Sequence, residues 1–424
     1  MIRRIHIRNF LSIPEASVSV TDVSLLIGPN NSGKSNLLHA LELLGGLFSA
    51  PQHIPWNAAW AKRQSFQRNG DWISIGIEGE AAQGVWYYGL SFKPGQGNGV
   101  AFLEIAGVSS VQDLAELELT DPASLQMHFD RFQLNACESP FAQDALFRPG
   151  PQSDRRNFMI AYDSARPDAP VYEDSGSFRP GEMKSWEGFA WMHQAMQSLF
   201  RHLTVYYLFS RNFLGQREPK FADQLNQDGS NLVQFLFYLD QNYPQHFEAL
   251  RRDLNWSLED IVNVRTPLDQ ENKLTIKFFD RHGADFGIGE VSEGVKYFLA
   301  FLALIHQPDP PRILLLEEPE NGIHPRRISQ LLDYLRRLAV SRGIQIVLTS
   351  HSPVVLDQFE DTPEAVWVFD RDGGATQIRN LLRDILEPQE RSYQPAADES
   401  AAGWWGQMLS EKWLSGVLNG VPND

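Results

Sequence analysis

The run Val23-Ser24-Leu25-Leu26-Ile27 leads straight into Gly28-Pro29-Asn30-Asn31-Ser32-Gly33-Lys34-Ser35, after which Leu37, Leu38, Leu41, Leu44 and Phe48 recur at helical spacing. A strand, a glycine loop and a helix in that order leave few folds open. Glycines let the backbone wrap so that its N–H groups converge on phosphate oxygens, and the helix N-terminus adds positive potential. A lysine and a hydroxyl at the loop's end complete the chemistry: Lys34 is expected to reach the β- and γ-phosphates and Ser35 to ligate Mg²⁺. The spacing predicts a phosphate-binding loop on a parallel α/β sheet.

Composition narrows what such a loop serves. The 424 residues are 42% hydrophobic and 21% charged, which suits a globular protein and argues against global disorder. The net charge of −16 speaks against gripping nucleic acid through overall charge, and leaves only a local basic groove open. A lone cysteine, Cys137, excludes an internal disulfide framework and a multi-cysteine zinc site. No apolar run reaches membrane-spanning length, and Met1 to Ile7 alternates like a strand rather than a signal peptide. A cytoplasmic protein is expected.

Along the chain, Ile5 and Ile7, then Ala16, Val18 and Val20, predict two short strands. Residues 51–70, with Pro51 and Pro55, predict a loop. From Asp71 the period turns to two, through Ile73, Ile75, Ile77, Trp86, Tyr88, Leu90, Phe92, Val100 and Phe102, so an antiparallel meander is expected. The proline-rich stretch 138–185 predicts irregular chain. Further strands are expected at 203–208, 274–279, 313–316, 344–348 and 366–369. Helices are expected at 230–241, 244–254, 292–306 and 325–341. The tail after 384 carries Trp404, Trp405, Met408, Leu409, Trp413 and Leu414. Its apolar residues spread round a helix without one stripe, and docking on the chain's own core or on a partner both stay open.

Ile313-Leu314-Leu315-Leu316-Glu317-Glu318-Pro319 is a fully apolar strand ending in two carboxylates. Ligands of parallel sheets collect at that end. Glu317 is placed for the Mg²⁺ shell, and Glu318 to orient and deprotonate an attacking water. Val291-Ser292-Glu293-Gly294-Val295-Lys296 precedes this strand; Pro319-Glu320-Asn321-Gly322-Ile323-His324-Pro325 and Thr349-Ser350-His351-Ser352-Pro353 follow it.

In that order the motifs resemble an ABC-type ATPase of the RecF, SMC and OLD group, in particular the AAA-type ATPases related to the OLD nucleases. Asn9-Phe10 and Asp228-Gly229-Ser230-Asn231-Leu232 look like that group too. The resemblance implies a P-loop ABC-type α/β core, an antiparallel β meander and an inserted irregular or helical region. It divides the chain into a core at 1–50 and 203–383, an insertion at 51–202 and a tail at 384–424. It implies ATP and Mg²⁺ as cofactors and a nucleotide cradle of Gly28, Asn30, Asn31, Ser32, Gly33, Lys34, Ser35 and Asn36.

The same resemblance makes Ser292 and Gly294 the signature residues that contact the γ-phosphate held by a second protomer. It makes His351 the switch histidine. Ser292 is also expected to cap its helix. Glu317 stands where Asp is commoner, and Glu293 where many relatives have Gly. Gln52, Gln64 and Gln67 stay equal candidates for the Q-loop glutamine. The partners implied are a second copy of the chain, a separate effector or nuclease protein, and DNA or RNA, with no membrane. The expected activity is ATP hydrolysis controlling nucleic-acid processing or an effector, in anti-phage defence or DNA repair. No nuclease is expected in this chain, because the tail offers no Glu followed by an Asp-x-Asp strand end. A transporter's nucleotide-binding subunit and a non-hydrolysing clamp are the alternatives; the long separation of Lys34 from Ser292 disfavours the first, and Glu318 with His351 the second.

Overall fold

The computed structural model describes residues 1–49, 57–81, 84–94, 100–109, 156–163, 171–173, 199–200, 203, 205–207, 213, 217–258, 261–321, 323, 325–392, 409–416 and 418. In chain order, β1 (Ile2–Phe10), β2 (Ile13–Ser19) and β3 (Val23–Ile27) lead into α1 (Lys34–Ser49) and α2 (Ala58–Gln64). Strands β4 (Ile73–Ala81), β5 (Gly84–Pro94), β6 (Val100–Ser109), β7 (Arg156–Asp163), β8 (Val171–Glu173) and β9 (Val205–Tyr206) follow. After α3 (Leu232–Asn242) and α4 (Pro244–Ser257) come β10 (Asn263–Arg265), β11 (Lys277–Phe279) and β12 (Asp285–Gly287). The chain continues through α5 (Glu293–Ile305), β13 (Ile313–Glu317), α6 (Pro325–Arg342), β14 (Gln345–Ser350) and α7 (Pro353–Asp357). It closes with β15 (Val366–Asp372), β16 (Ala375–Asn380), a π-helical turn at Leu381–Leu386, α8 (Glu387–Ser392) and α9 (Leu409–Leu414).

The central sheet has the order β16-β15-β3-β14-β13-β9, parallel throughout except for the β15–β16 hairpin. Its side chains alternate between two cores with the period of two that a pleated strand imposes. Leu25, Ile27, Leu314, Leu316, Ile346, Leu348, Val366 and Val368 join helices α3 to α6 on one face. Leu26, Ile313, Leu315, Val347, Trp367 and Phe369 face the other way, onto α1 and the antiparallel sheet. That second sheet has the order β2-β1-β4-β5-β6-β7-β8, so the meander continues the sheet begun by the first two strands. Strands buried on both faces read as continuous apolar runs, and this is why β3 and β13 were legible.

Two joints fix the layers against each other. Gln345, 3% exposed on β14, accepts from the Ile2 amide at 2.6 Å and donates to the Ile2 carbonyl at 2.7 Å. Glu42 of α1 accepts from the Val205 amide at 3.2 Å and from Gln227 Nε2 at 3.0 Å.

Three expectations need correction. Residues 51–70 are not a loop throughout: Asn57 caps α2 by accepting the Trp60 amide at 2.9 Å, which starts a helix the nearby prolines obscured. The stretch 138–185 is not wholly irregular, because β7 pairs with β6 and β8 with β7; the remainder of that stretch lies outside the described residues. Of the expected strand at 203–208, Val205–Tyr206 forms β9, Leu203 and Tyr207 are irregular, and 204 and 208 lie outside the described residues.

The tail's helix α9 docks on the chain's own core through Leu409 and Trp413, with Leu418 beyond it in the same core, and the Ser410 amide donates to Asp357 of α7 at 2.8 Å. Trp404, Trp405 and Met408 lie outside the described residues. Among the described residues, no helix is long and apolar enough to cross a membrane.

Candidate functional site

Three parallel neighbours, β3, β14 and β13, deliver their loops to one end of the central sheet. Ile27 lies beside Ser350, and Glu317 beside Thr349, so the glycine loop, the His351 turn and the acidic turn are adjacent by register alone.

The glycine loop is shaped by its neighbours. A Cβ on Gly28 would meet the Phe369 carbonyl oxygen at 2.2 Å, and one on Gly33, at φ +103°, would meet Thr376 Oγ1 at 2.1 Å. Only glycine fits either place. A one-way chain of hydrogen bonds supports the loop from outside. Asn36 Nδ2 donates to Ser12 Oγ at 2.6 Å, Ser12 and Thr376 share a 2.6 Å bond, and Thr376 Oγ1 donates to the Ser32 carbonyl at 2.9 Å. Because the Thr376 proton is committed to Ser32, Ser12 is the donor in the middle link. Arg371 adds a 3.3 Å bond from Nη1 to the Asn31 carbonyl. Ser12, Thr376 and Arg371 were missed by the sequence reading; the only local trace was Ser12's place in the turn after Asn9-Phe10.

Lys34 is 5% exposed, with its ammonium on the carbonyls of Gly28 at 2.7 Å and Pro29 at 2.8 Å. Burial lowers its pKa, against the upward pull of Glu318, Glu317 and Glu320. Ser32 is 1% exposed and its Oγ has no partner among the described residues, a buried hydroxyl inside a loop suited to phosphate oxygens. Asn30 and Asn31 are exposed on the same loop, with Asn31 at φ +63°.

Ser35 Oγ donates to Glu317 Oε1, across the intervening strand β14. One hydroxyl and one carboxylate are a hard-oxygen donor pair of the kind Mg²⁺ takes when nucleotide phosphates and water complete its shell. The residues therefore fit Mg²⁺-nucleotide, whereas no group of three or more His, Cys, Asp or Glu that would hold a free-standing metal occurs among the described residues.

Glu318 sits at φ +45°, an unfavourable conformation for a non-glycine residue. Its amide is held by the Thr349 carbonyl at 3.1 Å and Thr349 Oγ1 at 3.2 Å. One carboxylate oxygen meets His351 Nδ1 at 3.0 Å and the other accepts from Asn321 Nδ2 at 2.8 Å. Strain of this kind persists where surrounding bonds over-determine it, commonly at reacting groups. The structure thus brings Lys34, Ser35, Glu317, Glu318 and His351 together.

Ser292 occupies the N-cap position of α5 but its side chain makes no capping bond, which corrects that expectation; its carbonyl accepts the Val295 and Lys296 amides instead. Ser292 is exposed, and a Cβ on Gly294 would meet nothing within 4 Å. No hydrogen bond or ion pair among the described residues joins either to the Lys34 cluster. Glu293 is bonded to Lys296 Nζ at 2.6 Å, which offsets its charge within the helix's first turn. Of the Q-loop candidates, Gln64 is half-buried, Gln67 is exposed, and Gln52 lies outside the described residues.

The family described as AAA domain, putative AbiEii toxin, Type IV TA system matches residues 190–357, and the AAA ATPase domain family matches residues 1–57. The uncharacterized ABC transporter ATP-binding protein YhcH of Bacillus subtilis (strain 168) is 25% identical over 118 residues, 28% of this chain and 35% of its own. The bacitracin transport ATP-binding protein BcrA of Bacillus licheniformis is 29% identical over 107 residues, 25% of this chain and 32% of its own. The matched stretches thus span about a third of those relatives. The SMC head domain from Thermotoga maritima aligns with a TM-score of 0.43 at 11% identity, covering 89% of this chain and 98% of that one.

Proposed function

We propose that this chain, whose residues 1–57 and 190–357 match AAA-type ATPase family models, is an ABC-type P-loop ATPase that hydrolyses ATP with Glu318 as general base. The observation that carries the reading is the convergence of Lys34, Ser35, Glu317, Glu318 and His351 at one end of three adjacent strands. Backbone amides of the loop and the Lys34 ammonium bind and orient the phosphates. Ser35 and Glu317 would hold Mg²⁺, which when bound would neutralise phosphate charge. Glu318 accepts the proton of the attacking water while that oxygen bonds to the γ-phosphorus and the bond to the β-phosphate bridge breaks. His351 and Asn321 fix the direction of the accepting carboxylate.

The exposed Ser292 and the open space at Gly294 support a site completed by a second copy of the chain. A C₂ pair would set each α5 N-terminus against the other copy's phosphate loop. Closure of that pair would drive an effector or nucleic-acid partner in the manner of the OLD-like group, in prokaryotic defence or DNA repair, with cleavage supplied by another chain. The cytoplasm, where ATP is available, is its compartment in this reading. Light scattering of Glu318→Gln protein with and without ATP tests the pairing: a nucleotide-dependent dimer supports it, and a monomer under saturating ATP refutes it. Plasmid DNA with Mg²⁺ or Mn²⁺ should stay intact.

The two relatives named as transport ATP-binding proteins favour a second reading, a transporter's nucleotide-binding subunit. Co-fractionation of the native protein with a membrane permease would establish it.

A further inference from the structure

Glu320 takes no part in the proposed chemistry, yet it is the most buried of the three carboxylates behind the acidic strand end, 7% exposed. Its Oε1 accepts from Ser350 Oγ, while its Oε2 has no partner among the described residues. The same Ser350 hydroxyl accepts the Ser352 amide at 2.9 Å. A single carboxyl therefore ties down both residues that flank His351. The tie runs from the turn that carries Glu318 to the turn that carries its hydrogen-bond partner.

We infer that Glu320 is a positioning residue for ATP hydrolysis: through Ser350 and Ser352 it sets His351 against Glu318. The inference rests on the ATPase reading and adds a residue to it. Geometry supplies the reason. His351 is 43% exposed and Glu318 25%, so their 3.0 Å contact has little packing to hold it and depends on the backbone on either side. An ionised carboxylate with one oxygen buried and unpaired would be costly beside Glu317 and Glu318. Burial accordingly raises the Glu320 pKa, partly offset by the Ser350 bond.

The contact Glu320 makes is the acceptance of one hydroxyl proton from Ser350, and an amide of the same shape can accept it too. Phosphate release and fluorescent-ATP binding are to be measured for wild type, Glu320→Gln, Glu320→Ala, Ser350→Ala and the Glu320→Ala/Ser350→Ala double variant. Glu320→Ala and Ser350→Ala should each lower kcat about tenfold or more, with KM within about threefold, because the phosphate loop is held by other bonds. Glu320→Gln should restore kcat to within about threefold of wild type, and the double variant should be no worse than the singles. Thermal unfolding of each protein separates loss of fold from loss of turnover, and Ser350→Ala carries the test should Glu320→Ala not fold. The inference is overturned by Glu320→Gln as slow as Glu320→Ala, by Ser350→Ala with wild-type kcat, or by additive losses in the double variant. A wild-type protein without ATP turnover overturns the ATPase reading itself; normal wild-type turnover with a failed rescue overturns only the role of Glu320.

Discussion

Replacing Thr376 by valine keeps the shape of a side chain 2% exposed on β16 and deletes one hydroxyl. That hydroxyl donates to the Ser32 carbonyl at 2.9 Å and bonds Ser12 Oγ at 2.6 Å. Two neutral hydrogen bonds are lost at about 1 kcal/mol each, so roughly 2 kcal/mol is at stake. Where that loss falls on the order of the phosphate loop in the free protein, nucleotide must restore the order on binding. ATP affinity should then drop by up to about thirtyfold, since 1.4 kcal/mol is a factor of ten. Titration with a fluorescent ATP analogue reads the affinity, and thermal unfolding reads the remainder. Thr376→Ser keeps the hydroxyl and should bind nearly as wild type. Unchanged affinity together with an unchanged melting point for Thr376→Val would refute the idea that β16 holds the loop.

Gln345→Leu should lower stability by about 2 kcal/mol in chemical denaturation, chiefly because the buried Ile2 amide loses its acceptor; an unchanged midpoint would contradict this. At Asp253, burial works against ionisation, but hydrogen bonds from His306 at 2.7 Å and Tyr334 at 2.7 Å outweigh it and depress the pKa below 3.8. A depressed carboxylate stabilises the fold above its unfolded pKa, and that contribution is lost as pH falls through the folded value. Asp253→Asn should therefore melt lower than wild type at pH 7, with the gap closing under acid; a gap independent of pH would count against the ion. Lys34→Ala and Ser292→Arg proteins, each inactive alone, should regain turnover in verified mixed dimers, and none regained would argue against a shared site.

The chemistry at the sheet's end was readable because β3 and β13 are short apolar runs that stop at Gly28 and Glu317. Each motif carries its own spacing, and parallel register does the rest. What supports those motifs was not readable. Thr376 reaches Ser32 only because the β15–β16 hairpin folds back beside β3, and a threonine in a short alternating strand announces nothing of that. Helix α2 was hidden by Pro51 and Pro55, although the Asn57 cap was visible in principle. Strand β7 lay inside a proline-rich stretch where local signals for turns outweighed the short apolar run Phe158 to Tyr162. Glu320 was legible as part of a motif, but its burial against Ser350 depends on tertiary packing.

The central claim is that Glu318, strained at φ +45° and held between His351 and Asn321, takes the proton from water. Steady-state phosphate release and ATP binding by wild type and Glu318→Gln test it most directly. The amide keeps the shape and loses the basicity, so ATP should bind within about threefold of wild type while kcat falls by about a hundredfold or more. Near-normal phosphate release by Glu318→Gln would contradict the account.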